Sequence, residues 1–388
     1  MRNIRRRGAA LALTAAATIA LAGCAGGGEP TEEQVLQIGF ITPLTGPSAS
    51  TGIDARDGAQ VAVDRWNDED LLPGYTIELV VEDDAGTPET GALAYQKLRD
   101  QGINIITGTM NSSVAIAIAN AAAVDPDVLY FITGAQSQVP LDEQPGNLIF
   151  GLQSTNATFA DANLGWIADE AQPQKVAVLV ENSDFGIAER DQIKAHWSSG
   201  TPEIVLEETF DRTLTDFSSI LSKVRDSGAD GVYVGAAGVT FAATIFTQAD
   251  ALGLDVQKFM NAGLMSQALI DAGGDAIEGI ASADSYHHSI DTPENGVFVS
   301  AFEAANGELP SAHNELGYDS INLILEAVKA VGSPEDAQAV ADALRDGDWT
   351  TASGPTKFNE TGRAIRPTFI IGVEGGELVL LDTIPAAG

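Results

Sequence analysis

From residue 35 onward, short apolar runs of strand length alternate with longer stretches in which apolar residues recur every three or four positions. Such a chain has few solutions. Every strand has two faces to bury and every helix one stripe, and parallel sheets flanked by helices satisfy both. Strands are expected at 35–41, 75–82, 103–107, 128–133 and 147–150, with helices over 55–67, 87–100 and 111–123 between them. In the first of these helices Ala59, Ala62, Val63 and Trp66 share one face. A second series repeats the pattern, with helix 158–171, strand 175–181, helix 185–197, strand 204–210, helix 217–227, strand 231–234 and helix 240–252. Helices at 293–306, 315–331 and 334–346 follow, then strand-like ends at 368–373 and 378–381. Turn-like seams near 151–156, 282–291 and 350–356 separate the blocks. The expectation is an α/β chain of two tandem lobes, joined where three strands cross between them.

The N-terminus carries a different signature. Arg2, Arg5, Arg6 and Arg7 precede an Ala- and Leu-rich run that ends in Leu21-Ala22-Gly23-Cys24. A basic start, a short apolar middle and small residues before a cleavage point are the pattern of a secretory signal peptide, and the run is short for a membrane span. Residues 1–23 are therefore expected to be removed. Cys24, the only cysteine of the chain, stands where bacterial lipoproteins are acylated, and two or more acyl chains anchor a protein stably to a membrane. Residues 24–34 then form the lipidated cysteine and a Gly-rich, acidic tether. What remains, roughly 350 residues, suits two domains. The expected division is 35–153 plus 284–352 for lobe 1 and 154–283 plus 353–388 for lobe 2.

Charge excludes one class of partner. Four of the 20 basic residues lie in the leader, so 16 face 55 acidic residues beyond it, a balance that repels nucleic acid. No D-x-D-x-D-G calcium loop is present, and no metal or cofactor is expected.

Six stretches in order carry a resemblance: IGFITPLTGPSASTGIDARDGAQVAVDRWN (38–67), IELVVEDDAGTPETG (77–91), ENSDFGIAERD (181–191), GADGVYVG (228–235), ELGYDSINLILEAVKA (315–330) and GPTKFNETGRAIRP (354–367). Together they resemble the leucine/isoleucine/valine-binding family, the type I periplasmic receptors of ABC importers. The resemblance implies two Rossmann-like lobes with parallel central sheets and a three-strand hinge. It also implies a small organic ligand held in the cleft between them, such as an amino-acid-like compound, an amide or an aromatic carboxylate. The implied partners are a permease and ATPase complex, with the receptor a monomer tethered outside the cell membrane. A sensor of the same fold, acting on a signalling partner, is the alternative.

The family sets its ligand's carboxylate against lobe 1. The matching residues here are Ser112, flanked by Asn111 and Ser113, and the loop Ala135, Gln136 and Ser137. Helix physics agrees, because 107–110 leads from a strand end into a helix whose free N–H groups and positive dipole end favour an anion. The competing reading is that Asn111 or Ser112 only caps that helix. From lobe 2, Phe185 stands where the family has a tyrosine that closes over the ligand. Where amino-acid binders have an aromatic, this chain has Gly235-Ala236-Ala237-Gly238; where they have a glutamate for the ammonium, it has Asn261-Ala262-Gly263-Leu264-Met265. Ala237 and Gly263 are thus expected at a roomier wall, against an ordinary α-amino acid. Tyr286, with His287 and His288 at the second seam, is a candidate donor into the cleft. No dinucleotide, Walker, zinc-protease or nucleophile-elbow motif appears, so no enzyme is expected.

Overall fold

The computed structural model describes residues 34–143 and 148–386. The leader, Cys24 and most of the tether lie outside the described residues, as does Asn147, the expected start of the strand at 147–150.

The first series is β1 (Gln34–Thr42), α1 (Ala49–Asp68), β2 (Tyr75–Asp83), α2 (Pro88–Asp100), β3 (Ile105–Gly108), α3 (Ser112–Ala122), β4 (Leu129–Ile132), α4 (Val139–Asp142) and β5 (Ile149–Gly151). Its strands form one all-parallel sheet in the order β2-β1-β3-β4-β5. The second series is α5 (Asn156–Trp166), β6 (Lys175–Glu181), α6 (Asp184–His196), β7 (Glu203–Phe210), α7 (Ser218–Ser227), β8 (Gly231–Gly235), α8 (Val239–Ala251), β9 (Gln257–Met260), α9 (Gln267–Gly273) and β10 (Ile280–Asp284). The order β7-β6-β8-β9-β10 repeats that of the first sheet, so the two lobes are wound alike. Strands β9 and β10 have no counterpart in the sequence reading.

The chain then returns to the first lobe as α10 (Pro293–Asn306), α11 (Ala312–Val331) and α12 (Ala337–Asp346). Two glycines let α11 lie directly on α1: a Cβ at Gly58 would stand 1.8 Å from the Asn314 carbonyl oxygen, and one at Gly317 would stand 1.8 Å from that of Ala55. Trp66, on the predicted apolar face of α1, is 1% exposed, and its Nε1 donates to Asn322 of α11 at 2.7 Å. A capping box between Ser311 and Asn314 starts α11.

A small antiparallel sheet of β11 (Trp349–Thr351), β12 (Gly354–Phe358) and β13 (Ala364–Ile365) precedes β14 (Thr368–Glu374) and β15 (Glu377–Ile384), which extend the second sheet, β14 antiparallel to β10 and β15 antiparallel to β14. Three crossings join the lobes, as expected, but the third is displaced. Phe358 packs edge-on against Phe131 and Phe150 of the first lobe at 5.8 and 5.3 Å, and Arg363 bridges to Gly151. Residues 354–365 therefore stay with the first lobe, and the chain crosses at 366–368, not near 350–356. The expected lobe 2 segment 353–388 is shortened accordingly.

Charge is buried beside these crossings. Arg366, 3% exposed, pairs with Glu315 of α11 and lies 3.7 Å from Asp319. Ser353 Oγ donates to Glu315 Oε1 at 2.7 Å, the Ala352 N–H donates to Asp319 Oδ1 at 3.1 Å, and the Ser285 N–H donates to Asp284 Oδ1 at 2.7 Å.

Candidate ligand-binding cleft

In sheets of this order, loops leaving the carboxyl ends of the strands diverge beside the first strand and open a crevice. In the first lobe those loops follow β1, β3 and β4; in the second they follow β6, β8 and β9. A cleft of about 490 Å³, counting space open to solvent, lies between them and is lined by Gln136 of the first lobe and by Asn156, Phe159, Phe185, Glu189 and Asn261 of the second, among others.

On the first-lobe side, Gly108 ends β3 in a left-handed conformation, φ +122°, where an added Cβ would stand 1.8 Å from the Ile41 carbonyl oxygen. That bend delivers the chain to α3. Asn111 is the N-cap residue, yet its side chain makes no cap hydrogen bond. Its Nδ2 instead donates to Ser48 Oγ at 3.1 Å, and its Oδ1 is buried without a partner among the described residues. The simple capping role is therefore not the one observed. Ser112 Oγ accepts from the Ser137 N–H at 3.3 Å, which joins the two expected ligand segments. Ser113 is exposed, and Ala135 is turned into the core, 1% exposed, so only its backbone is available.

The loop 135–138 has a support that sequence reading missed. Arg363, 4% exposed, donates to the carbonyl oxygens of Ala135 at 3.2 Å, Ser137 at 2.5 Å and Gln153 at 2.8 Å, and to Gln138 Oε1 at 3.1 Å. Burial pulls its pKa down to about 10, so it remains a cation at neutral pH. The signal was present in GPTKFNETGRAIRP, but nothing in the pattern says which acceptors a distant arginine meets.

On the second-lobe side, Phe185 is 37% exposed and lines the cleft. Gly263 faces Gln136: a Cβ built on it would lie 4.0 Å from Gln136 Nε2, the approach of one lobe to the other. Ala237 is exposed beside the end of β8, and its N–H donates to Glu181 Oε2 at 3.3 Å. Tyr286 is a correction. It is 3% exposed, its hydroxyl donates to Asn295 Oδ1 at 2.7 Å and its ring packs on Phe298, so it offers the cleft no donor. His287 is spent likewise, on Ser289 Oγ at 2.8 Å and the Leu378 carbonyl oxygen at 3.2 Å. Glu189, unnoticed in the sequence, brings a carboxylate to this wall, and burial raises its pKa against the lowering effect of a hydrogen bond from Tyr233. Among the described residues no group of histidine, cysteine and acidic side chains is arranged to hold a metal.

The profile of the periplasmic binding protein family matches residues 35–377. The chain is 26% identical over 356 residues to the Leu/Ile/Val-binding protein BraC3 of Rhizobium johnstonii, covering 91% of this chain and 95% of that one. Among solved structures, a leucine-binding protein from Thermotoga maritima superposes with a TM-score of 0.74 at 23% identity, covering 90% of this chain and 99% of that one. A solute-binding protein of an ABC transporter from Rhodopseudomonas palustris, in complex with 3,4-dihydroxybenzoic acid, gives a TM-score of 0.75 at 25% identity, covering 91% and 98%. These relatives are binding proteins, not enzymes. With two like-wound lobes, three crossings and a cleft at the facing strand ends, the chain belongs to the type I periplasmic binding proteins of the leucine/isoleucine/valine-binding family.

Proposed function

We propose that this protein is the extracytoplasmic receptor of an ABC importer, held to the membrane through lipid on Cys24, and that it closes as a monomer over a small organic carboxylate between residues 35–153 with 284–366 and residues 154–283 with 367–386. The observation that carries the reading is the cleft itself. Gln136 from one lobe and Phe185 from the other line the same space, and Gly263 lies opposite Gln136. A ligand touching both lobes binds the closed form better than the open one and shifts the population by that difference. The permease then has a closed shape to recognise. Leucine-type relatives and a dihydroxybenzoate-bound neighbour support amino-acid-like and aromatic carboxylates as the ligand class.

Two experiments test this. A thermal-shift screen of amino acids, amides and aromatic acids is expected to give a selective rise in melting temperature, since only the native state has the cleft. Small-angle scattering with a saturating hit is then expected to show compaction; an unchanged envelope sinks the closure mechanism. Within the site, Ser112→Ala removes the hydroxyl at the α3 N-terminus. It is expected to weaken binding of a carboxylate ligand by about 1–3 kcal/mol, the scale of a charge-assisted hydrogen bond. Calorimetric affinities equal to wild type would remove Ser112 from the site.

A further inference from the structure

The hinge sets two acids against one base. Glu315 and Asp319 stand one turn apart on α11, 0% and 1% exposed, and the cation that meets them is Arg366. Its Nη2 pairs closely with Glu315 Oε1 but stays 3.7 Å from Asp319 Oδ2, while its Nε and Nη1 have no partner among the described residues. Glu315 is matched and Asp319 is not. The Ala352 N–H serves Asp319 Oδ1 at 3.1 Å, whereas Asp319 Oδ2 and Glu315 Oε2 are both buried without a donor.

The other elements packed here add no second cation. Asp284 of β10 is a further acid, and the Tyr286 hydroxyl after it is spent on Asn295. Tyr318, beside Asp319, takes a hydrogen bond from Arg65 of α1 at 3.3 Å, and Arg65 is itself paired with Glu69. Burial holds His287, His288 and His313 below the ordinary imidazole value, so they bring no charge at neutral pH. A carboxylate buried this deeply without its own cation is costly. Burial and then Glu315 accordingly push the Asp319 carboxyl up, with Arg366 opposing.

Position gives these acids a mechanical role. α11 belongs to the first lobe, and Arg366 stands where the chain crosses to the second. Ser353 Oγ, which donates to Glu315 Oε1 at 2.7 Å, also reaches the Ser285 carbonyl oxygen of the second crossing at 3.3 Å. Lobes that turn about these crossings must shift Arg366 and Ser285 against α11.

We propose that Asp319 is the proton-holding acid of the hinge, neutral while the lobes are closed and donating to Glu315, and that loss of its proton opens them. One proton between Asp319 Oδ2 and Glu315 Oε2 gives each of these oxygens its partner. It also leaves one negative charge facing one positive charge in a dry site, where an ionised Asp319 would set two against one. In the described arrangement Gly263 stands across the cleft from Gln136 and both acids are dry. Separation of the lobes is the movement that admits water to a second charge, so rising pH shifts the population toward the open form. The proposal rests on the lobes turning about these crossings.

Two measurements test it without a ligand. Carboxyl carbon NMR of the wild-type protein is expected to show Asp319 protonated at neutral pH. An ionised Asp319 there overturns the proposal, whether or not any variant folds. Single-molecule energy transfer reads the lobes, with dyes on Val124→Cys of the first and Leu252→Cys of the second, both exposed, in a chain carrying Cys24→Ala. Asp284→Asn is included to remove the other titrating acid of the hinge. Between about pH 7 and about pH 10 the closed fraction is expected to fall roughly threefold or more, and adding Asp319→Asn, which cannot ionise, to hold it within about 1.5-fold. A flat profile without Asp319→Asn, or the same fall with it, overturns the proposal. So does a single interlobe distance throughout, and the compounds of the thermal-shift screen then decide the receptor reading. It stands if any of them changes that distance, and falls with the proposal if none does.

Discussion

Arg363→Met is expected to lower the unfolding free energy by at least about 3 kcal/mol and to loosen the loop that carries Gln136. The guanidinium is almost fully buried, and among the described residues it forms no ion pair with a carboxylate; its bonds go to three carbonyl oxygens and one side-chain amide. Each acceptor left dry and unpaired costs about 1–3 kcal/mol, and methionine fills the volume without supplying a donor. The acceptors lie in two places at once, the loop after β4 and the first crossing at Gln153, so the arginine holds the cleft's first-lobe rim to the hinge. Arg363→Lys separates charge from geometry. It keeps the cation but not the planar fork, and so is expected to recover less than half of the loss. Urea unfolding measures both, with the midpoint moving and the slope constant. A loss below 1 kcal/mol for Arg363→Met would show that water takes over these acceptors and that the loop does not depend on the arginine.

The parts of this molecule that follow from local pattern were legible in the sequence, and those that depend on which distant residues meet were not. Thr87-Pro88 announces a helix start, and Thr87 does cap α2 by accepting from the Thr90 N–H. The spacing of Ala59, Ala62, Val63 and Trp66 gives the buried face of α1 correctly. Strands β9 and β10 escaped because Gln-Lys-Phe-Met and Ile-Ala-Ser-Ala-Asp lack the run of branched and aromatic residues that marks the equally short β3, β4 and β8. The third crossing was misplaced because a turn-like stretch looks the same whether the chain then changes lobe or, as here, folds into a small sheet under Phe358. At the cleft, Gln136 and Phe185 lie at strand-to-helix junctions, where the fold class alone points. Glu189 does not. In the sequence it is one more acid on an amphipathic helix, and only the pairing of β8 with β6 brings Tyr233 under it. Tyr286 errs the other way: an aromatic at a seam invites a ligand role, and only packing reveals that Asn295 and Phe298 already use it.

The acids at the second crossing should make stability depend on pH in a way that one substitution can isolate. Asp284 ends β10, 6% exposed, and burial pushes its pKa from the ordinary 3.8 to about 7, opposed by hydrogen bonds from Ser285 and Met265 and reinforced by Glu315. Below the lower value the group is protonated in both states and contributes nothing. Between the two, the unfolded chain ionises while the folded one holds its proton, so folding becomes less favourable as pH rises. Above about 7 the penalty is complete, roughly 4 kcal/mol for three pKa units. Asp319 of α11 is raised in the same direction, by burial and then by Glu315, with Arg366 opposing. The nearby His287 works oppositely: burial lowers it from 6.5 to about 4, so the stability it contributes is lost as pH falls through that window. His288 is lowered by burial as well. The net curve therefore mixes signs, but the difference between wild type and Asp284→Asn does not. Asparagine keeps an oxygen for the Ser285 N–H and cannot ionise. The two proteins are expected to be equally stable at pH 4, with the variant ahead by up to about 4 kcal/mol at pH 8. Denaturant titrations at the two pH values decide it: a gap that stays constant from pH 4 to 8 means that Asp284 ionises as readily in the folded protein as in the unfolded chain.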